Sequence, residues 1–161
     1  MESLMISLAD KVIQRIKEAS ELYNHLVLIV APVGTGKTAV LRNVHTRIGA
    51  PLVNVNLEMC RRMLDLTSRQ RSLQLPRLLS QIVSSYAADA ILLDNIEILF
   101  DISLKQDPLR LLQGISRNKT LVASWGGLID GNNLVYATPD HAEYRKYTLR
   151  DFLVVSPEAP S

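Results

Sequence analysis

The sequence predicts an α/β fold with a mostly parallel central sheet between helical layers. Three observations predict it. Apolar runs of strand length recur at 26–31, 90–94 and 120–125, and 26–31 and 90–94 show no polar alternation, so both faces of the strand are covered. Segments of helical period separate these runs, which is the alternation that builds parallel sheets. The chain has 161 residues, of which 47% are hydrophobic and 21% charged, enough for one domain with a real core and too few for two.

The elements follow in order. Leu4, Leu8, Val12, Ile16, Ala19 and Leu22 recur at three- and four-residue spacing, so residues 4–22 are predicted as an amphipathic helix. Its expected place is on the main core; a partner-binding arm is the alternative. Residues 26–31 (LVLIVA) form the first strand. A glycine-bearing loop follows, then a helix with Val40, Leu41, Val44 and Ile48 on one face and Gly49 as its stop. Residues 51–56 (PLVNVN) are a shorter, more polar strand, expected near an edge. Residues 57–87 are expected as two helical pieces, broken near Ser68 to Pro76. Residues 90–94 (AILLD) form the third strand. Asp107 and Pro108 open a helix to Ser116 as cap and first residue. Residues 120–125 (TLVASW) form the fourth strand.

Only eight residues, GGLIDGNN, separate that strand from LVYAT, too few for a parallel crossover. Residues 120–125 and 133–138 are therefore expected as an antiparallel hairpin or a protruding β-loop, with Asp130-Gly131 at the turn. A short helix is expected over PDHAEYRKY, with Asp140 and Glu143 in capping-box spacing. TLRDFLVV is the last expected strand. One domain is expected over 1–155, with a frayed tail at 156–161.

The chemical signal is Ala31-Pro32-Val33-Gly34-Thr35-Gly36-Lys37-Thr38. It matches the phosphate-loop pattern G-x-x-x-x-G-K-[ST] except for Ala31 at the first glycine, and it lies between an apolar strand and an amphipathic helix. Gly34 and Gly36 allow a tight loop whose N–H groups face anionic oxygens, and the helix opening near Lys37 adds its positive end. Pro32, Val33, Gly34, Thr35, Gly36, Lys37, Thr38 and Ala39 are the candidate nucleotide-binding residues. Lys37 would reach the β- and γ-phosphates of ATP. Thr38, with Asp94 at the carboxyl end of an apolar strand, would hold Mg²⁺. Lys37, Asp94 and Glu97 are the catalytic candidates. Many ATPases carry Glu directly after that Asp; here it is Asn95, which accepts no proton at neutral pH. Glu97 either polarises the attacking water or pairs on the surface. Ser124 and Asn95 are candidate sensors of the γ-phosphate.

APVGTGKT, LLDNIEILF and the polar strand end at Ser124 resemble the AAA+ and Orc-like branch of P-loop ATPases over residues 26 to about 125. With VASWGG and HAEYRKY added, the chain is similar to the BrxF family, the small P-loop proteins of certain BREX bacteriophage-defence systems. The resemblance implies a three-layer P-loop NTPase with an AAA+-like core. It also implies an ATPase that works with other defence-system proteins acting on DNA. Two features usual in that branch are not expected here: a C-terminal lid domain, and a finger-bearing helix after the fourth strand. Arg145 is the nearest arginine-finger candidate, with Lys146 and Arg117 as rivals. A finger would imply a homo-oligomer with nucleotide between subunits.

The formal net charge of +2 does not by itself mark a nucleic-acid binder. The charge is uneven, however: Arg61, Arg62, Arg69, Arg71 and Arg77 face only Asp65 over residues 61–77. Arg61, Arg62, Arg69 and Arg71 are candidate DNA contacts, or else a solvated helical face or a surface for acidic partners. The single Cys60 excludes a disulfide framework and a multi-cysteine zinc site. No apolar run reaches the ~18 residues of a membrane span. Glu2, Asp10, Lys11 and Arg15 break the pattern of a signal peptide. A cytoplasmic, ATP-using protein is expected, with a non-hydrolysing ATP-binding scaffold as the alternative. A small-molecule kinase is less favoured, because no acceptor-binding constellation is visible.

Overall fold

The computed structural model describes residues 2–32, 34, 36–137 and 142–157, with side chains from residue 8 onward. Five strands form the central sheet: β1 (Leu26–Ala31), β2 (Leu52–Asn54), β3 (Ala90–Asp94), β4 (Thr120–Asp130) and β7 (Leu153–Val155). Their order is β2-β3-β4-β1-β7, and every pairing along that path is parallel. This is the predicted fold class, and β2 is at the expected edge.

All six residues of β1 are buried, as their unbroken apolar run requires. Leu26, Leu28 and Val30 face one layer with Leu93, Leu121 and Trp125. Val27 and Ile29 face the other with Leu92 and Val122. The second layer holds α1 (Glu2–Ala19) and α2 (Lys37–Ile48); Leu8, Ala9, Val12 and Ala19 of α1 are buried there. The amphipathic helix thus packs on the core rather than standing off as an arm. It ends at Ala19, and Leu22 is exposed.

The first layer holds α3 (Val55–Met63), α4 (Ser68–Ser84) and α5 (Pro108–Ile115). Two expectations are corrected here. Strand β2 stops at Asn54, whose side chain accepts from the Leu57 N–H at 3.0 Å and starts α3 at Val55. The helical break falls at 64–67, not at 68–76, because Thr67 and Gln70 form a capping box that starts α4. Pro76 lies inside α4. Its missing N–H leaves the Ser72 carbonyl without a helical donor, and Gln106 Nε2 donates to that carbonyl at 2.7 Å. The predicted cap of α5 is present: Asp107 accepts from the Arg110 N–H.

After β4 the chain departs further from expectation. Residues 120–126 of β4 lie parallel to β1 or β3, and the same strand runs on to Asp130 in an antiparallel sheet with β5 (Asn133–Tyr136) and β6 (Arg145–Thr148). The hairpin therefore pairs 127–130, not 120–125, with 133–136, and turns at Gly131-Asn132. Arg145 belongs to strand β6 rather than to a short helix; Asp140, the expected cap, lies outside the described residues. The open edge of β5 and the aromatic cluster beneath it favour a strand there. Tyr147 of β6 packs edge-on against Trp125 with ring centroids 5.9 Å apart. The last strand is confined to 153–155, since Thr148 is part of β6.

Gly127 marks where β4 leaves the parallel sheet. A Cβ there would lie 1.8 Å from the Val135 carbonyl oxygen, so only glycine allows the two backbones to approach. Trp125 is fully buried, and its indole N–H donates to the same carbonyl at 3.1 Å.

Candidate functional site

The phosphate loop leaves β1 at its carboxyl end and feeds α2. Gly34 and Gly36 have φ of 83° and 91°, left-handed values that glycine adopts without strain. A Cβ at either would meet nothing within 4 Å, so backbone conformation, not space, requires glycine. Ala31 at the first glycine position is the last residue of β1 and lies in extended backbone, where alanine fits. Val33 and Thr35 are outside the described residues. Pro32 is exposed beside the loop, and Ala39 is half-buried in the first turn of α2.

Strands β3 and β4 bring two further groups to the same end of the sheet. Asp94 closes β3 and is buried. One carboxylate oxygen accepts from the Thr38 hydroxyl at 2.7 Å, the other from the Ser124 hydroxyl at 2.8 Å. Two such bonds stabilise a buried charge that would otherwise be costly to desolvate. Lys37 Nζ donates to the carbonyls of Ala31 and Pro32, each at 2.9 Å. Burial lowers the Lys37 pKa from its ordinary value, and the negative charges of Glu97 and then Asp94 oppose that shift.

The chain turns sharply after Asp94. Asn95 is left-handed, with φ 54° and ψ 55°, and its carbonyl accepts from the Asn56 N–H at 3.0 Å. Asparagine tolerates this conformation better than most residues. A 3₁₀ helix over Ile96–Phe100 follows, with Ile96, Leu99 and Phe100 buried and Glu97 exposed. Gly34, Gly36, Lys37, Thr38, Asp94, Asn95, Glu97 and Ser124 together line one open cleft of about 310 Å³. All eight were singled out by the sequence. The cleft combines a cation, backbone at a helix N-terminus and hard oxygen donors, a set that fits a polyphosphate with Mg²⁺.

The remaining sequence candidates lie elsewhere. Arg61 and Arg62 are in the last turn of α3; Arg69 and Arg71 are in the first turns of α4. Arg61 pairs with Glu58 at 3.4 Å, and Arg71 Nε donates to the Leu66 carbonyl at 3.1 Å. Arg145 is half-buried and donates from Nη2 to the Gln106 carbonyl at 3.1 Å, while its buried Nε has no partner among the described residues. Arg117 lies over the Tyr23 ring, 5.0 Å from the centroid.

Two residues escaped the sequence reading. Tyr136 of β5 stacks on Phe100 with centroids 3.5 Å apart, and its pKa is pushed up to about 12 by burial, then by Glu97 and Glu143. Its strand comes from a different part of the chain, and no local pattern links it to Glu97. Gln106 ties together α4, the 3₁₀ turn at 102–104 and β6; its only sequence signal is Pro76, whose missing N–H demands a donor from elsewhere.

Among the described residues, no helix is long and apolar enough to cross a membrane. No curated protein matches the chain. The chain is similar to the solved structure of C. elegans PCH-2, at 16% identity and a TM-score of 0.42. The match covers 96% of this chain and 41% of that one, so the chain spans less than half of that structure's length. The profile of the AAA family matches residues 27–120, more than half of the chain and the stretch that carries the loop, Lys37, Thr38, Asp94 and Glu97. The chain belongs to the AAA family, the ATPase family associated with various cellular activities.

Proposed function

We propose that this protein binds ATP with Mg²⁺, hydrolyses it slowly, and uses its nucleotide state to control self-assembly. The observation that carries the reading is the single cleft in which Lys37, Thr38, Asp94, Glu97 and Ser124 meet. Lys37 would exchange the Ala31 and Pro32 carbonyls for the β- and γ-phosphate oxygens. Thr38 and Asp94 would hold Mg²⁺, which when bound neutralises phosphate charge. Glu97, the first of the two carboxylates felt by Lys37, would polarise the attacking water. Asn95 would orient that water without removing its proton. Ser124, held on Asp94, would report whether the γ-phosphate is present.

A link to BREX-type phage defence, to its other proteins and to DNA rests on the sequence resemblance. So does nucleotide binding between subunits. For Arg145 to serve a neighbour as arginine finger it would have to leave Gln106. Lys146 is exposed and would need no such change. The amide at Asn95, where many ATPases carry a carboxylate, favours a second reading: a scaffold subunit that binds ATP without hydrolysing it.

The test is ATP binding and phosphate release by wild type, Lys37→Ala and Glu97→Gln. Lys37→Ala should lose both. Glu97→Gln should keep binding and lose roughly tenfold or more in rate. Equal release by wild type and Lys37→Ala, with ATP bound only by wild type, selects the scaffold; no ATP binding by wild type rejects both readings. Solution mass with and without ATP and Mg²⁺ tests assembly, and Arg145→Ala and Lys146→Ala test which cation acts across it.

A further inference from the structure

Glu97 is exposed in the cleft and makes no hydrogen bond or ion pair among the described residues. Its place is therefore set by the backbone that carries it. That backbone is the 3₁₀ helix Ile96–Phe100, entered through the left-handed Asn95. The hydrogen bonds of a short 3₁₀ helix are poorly aligned, so packing has to fix its position. Residues three apart eclipse one another in such a helix, which puts Glu97 and Phe100 on one side of it.

Phe100 anchors that side. Its ring is fully buried and meets the Trp125 ring edge-on, with centroids 5.0 Å apart. The Tyr136 ring lies flat against it, with centroids 3.5 Å apart and planes 9° from parallel. Trp125 belongs to β4, and Tyr136 is the last residue of β5, so the antiparallel ribbon closes over the turn. Tyr136 is itself buried, and its phenol lies near enough to Glu97 for that carboxylate to oppose its ionisation. Directly after Tyr136 the chain bends through Ala137 at φ 61°, a left-handed conformation that alanine adopts only at a cost. Strain of this kind persists where the surrounding contacts over-determine it.

We propose that Tyr136 is a positioning residue for hydrolysis: its ring, stacked on Phe100, fixes the turn that aims Glu97 at the attacking water. The inference rests on the reading of Glu97 as the group that polarises that water, and it names what holds Glu97 in place. The phosphate loop, Thr38 and Asp94 would bind ATP and Mg²⁺ from β1, α2 and β3. Loss of the stack should therefore leave nucleotide binding intact and slow the chemical step.

The experiment is steady-state ATP hydrolysis by the full chain, read below the melting temperature of each variant by circular dichroism. Tyr136→Leu should lower kcat about tenfold and leave KM for ATP within about twofold, because displacement of a reacting group by a fraction of an ångström acts on the transition state alone. Tyr136→Phe keeps the ring and should stay within about twofold of the wild-type rate. Phe100→Leu removes the other ring and should repeat the loss; it carries the test if Tyr136→Leu melts below the assay temperature. In a Glu97→Gln background, Tyr136→Leu should cost no further rate, since both changes act at one group. A wild-type kcat in Tyr136→Leu and Phe100→Leu, an equal loss in Tyr136→Phe, or an additive loss in the Glu97→Gln background overturns the proposal while leaving the ATPase reading intact. Full rate in Glu97→Gln alone refutes the role of Glu97 itself, and the proposal falls with it. Wild type that binds ATP without hydrolysing it selects the scaffold and ends the proposal as well.

Discussion

Replacing Gln106 by Ala tests how α4 tolerates a proline. Pro76 offers no N–H, so the Ser72 carbonyl four residues earlier depends on the Gln106 side chain at 2.7 Å. The same Nε2 donates to the Leu104 carbonyl at 2.7 Å. Removing the amide strips two acceptors of their donor. A neutral hydrogen bond contributes about 1 kcal/mol net, and a fully buried orphan loses more. Both contacts are half-buried, so water replaces part of each. The expected destabilisation is about 2 kcal/mol. For a chain of this length that lowers Tm by about 4–8 °C. The assay is urea or thermal denaturation of a four-member cycle with Pro76→Ala. Alanine at 76 restores an N–H to Ser72, so Gln106→Ala should cost about 1 kcal/mol less in that background. Equal costs in the two backgrounds would refute the idea that Gln106 substitutes for the missing donor.

Three other outcomes are expected. Gly127→Ala forces a Cβ onto the Val135 carbonyl and should destabilise by about 3 kcal/mol or more, read as a lowered Tm or loss of soluble protein. Asn95→Ala should lose about 1 kcal/mol because alanine resists the left-handed conformation, while Asn95→Gly should melt at or above the wild-type temperature. The third concerns alkaline pH. The Tyr136 hydroxyl has an ordinary pKa of 10.0 and one of about 12 in the fold, so the fold favours its neutral form. That stability is complete below pH 10 and is lost as pH rises toward 12, by about 2–3 kcal/mol. Tyr147 is also raised, by burial first and then by Asp107. Denaturation midpoints across this window should therefore flatten in part, not wholly, in Tyr136→Phe; an unchanged slope would contradict the assignment.

Much of the site was legible because its signals are local. Glycine was demanded at 34 and 36 by backbone conformation, and Lys37 and Thr38 follow at the helix start. Asp94 sits at the end of an unbroken apolar run, and Ser124 at the end of another, so a parallel sheet carries both to the same edge. The cap at Asp107 and the stop at Gly49 were likewise readable from residue type alone. Arg145 was not readable. The segment around it has acceptable helical spacing, yet it pairs as β6 because β5 offers an open row of hydrogen bonds and Trp125 offers Tyr147 a surface. The helical break was misplaced for a related reason. Pro76 looks like a breaker until Gln106, thirty residues later, supplies the donor that lets α4 continue.

The sequence by itself determined the order of the elements as far as the fourth strand, the phosphate loop and the carboxylate opposite it, since period, glycine and strand-end polarity act within a few residues. Only the tertiary structure decided that β4 crosses from a parallel to an antiparallel sheet, that Tyr136 stacks over the turn bearing Glu97, and that a cavity opens where α3 and α4 meet the 3₁₀ turns, with Arg71 and Asp101 in its lining. Those outcomes depend on backbone edges, ring faces and hydrogen-bond donors contributed by distant parts of the chain, and their free energies exist only once the chain has brought them together.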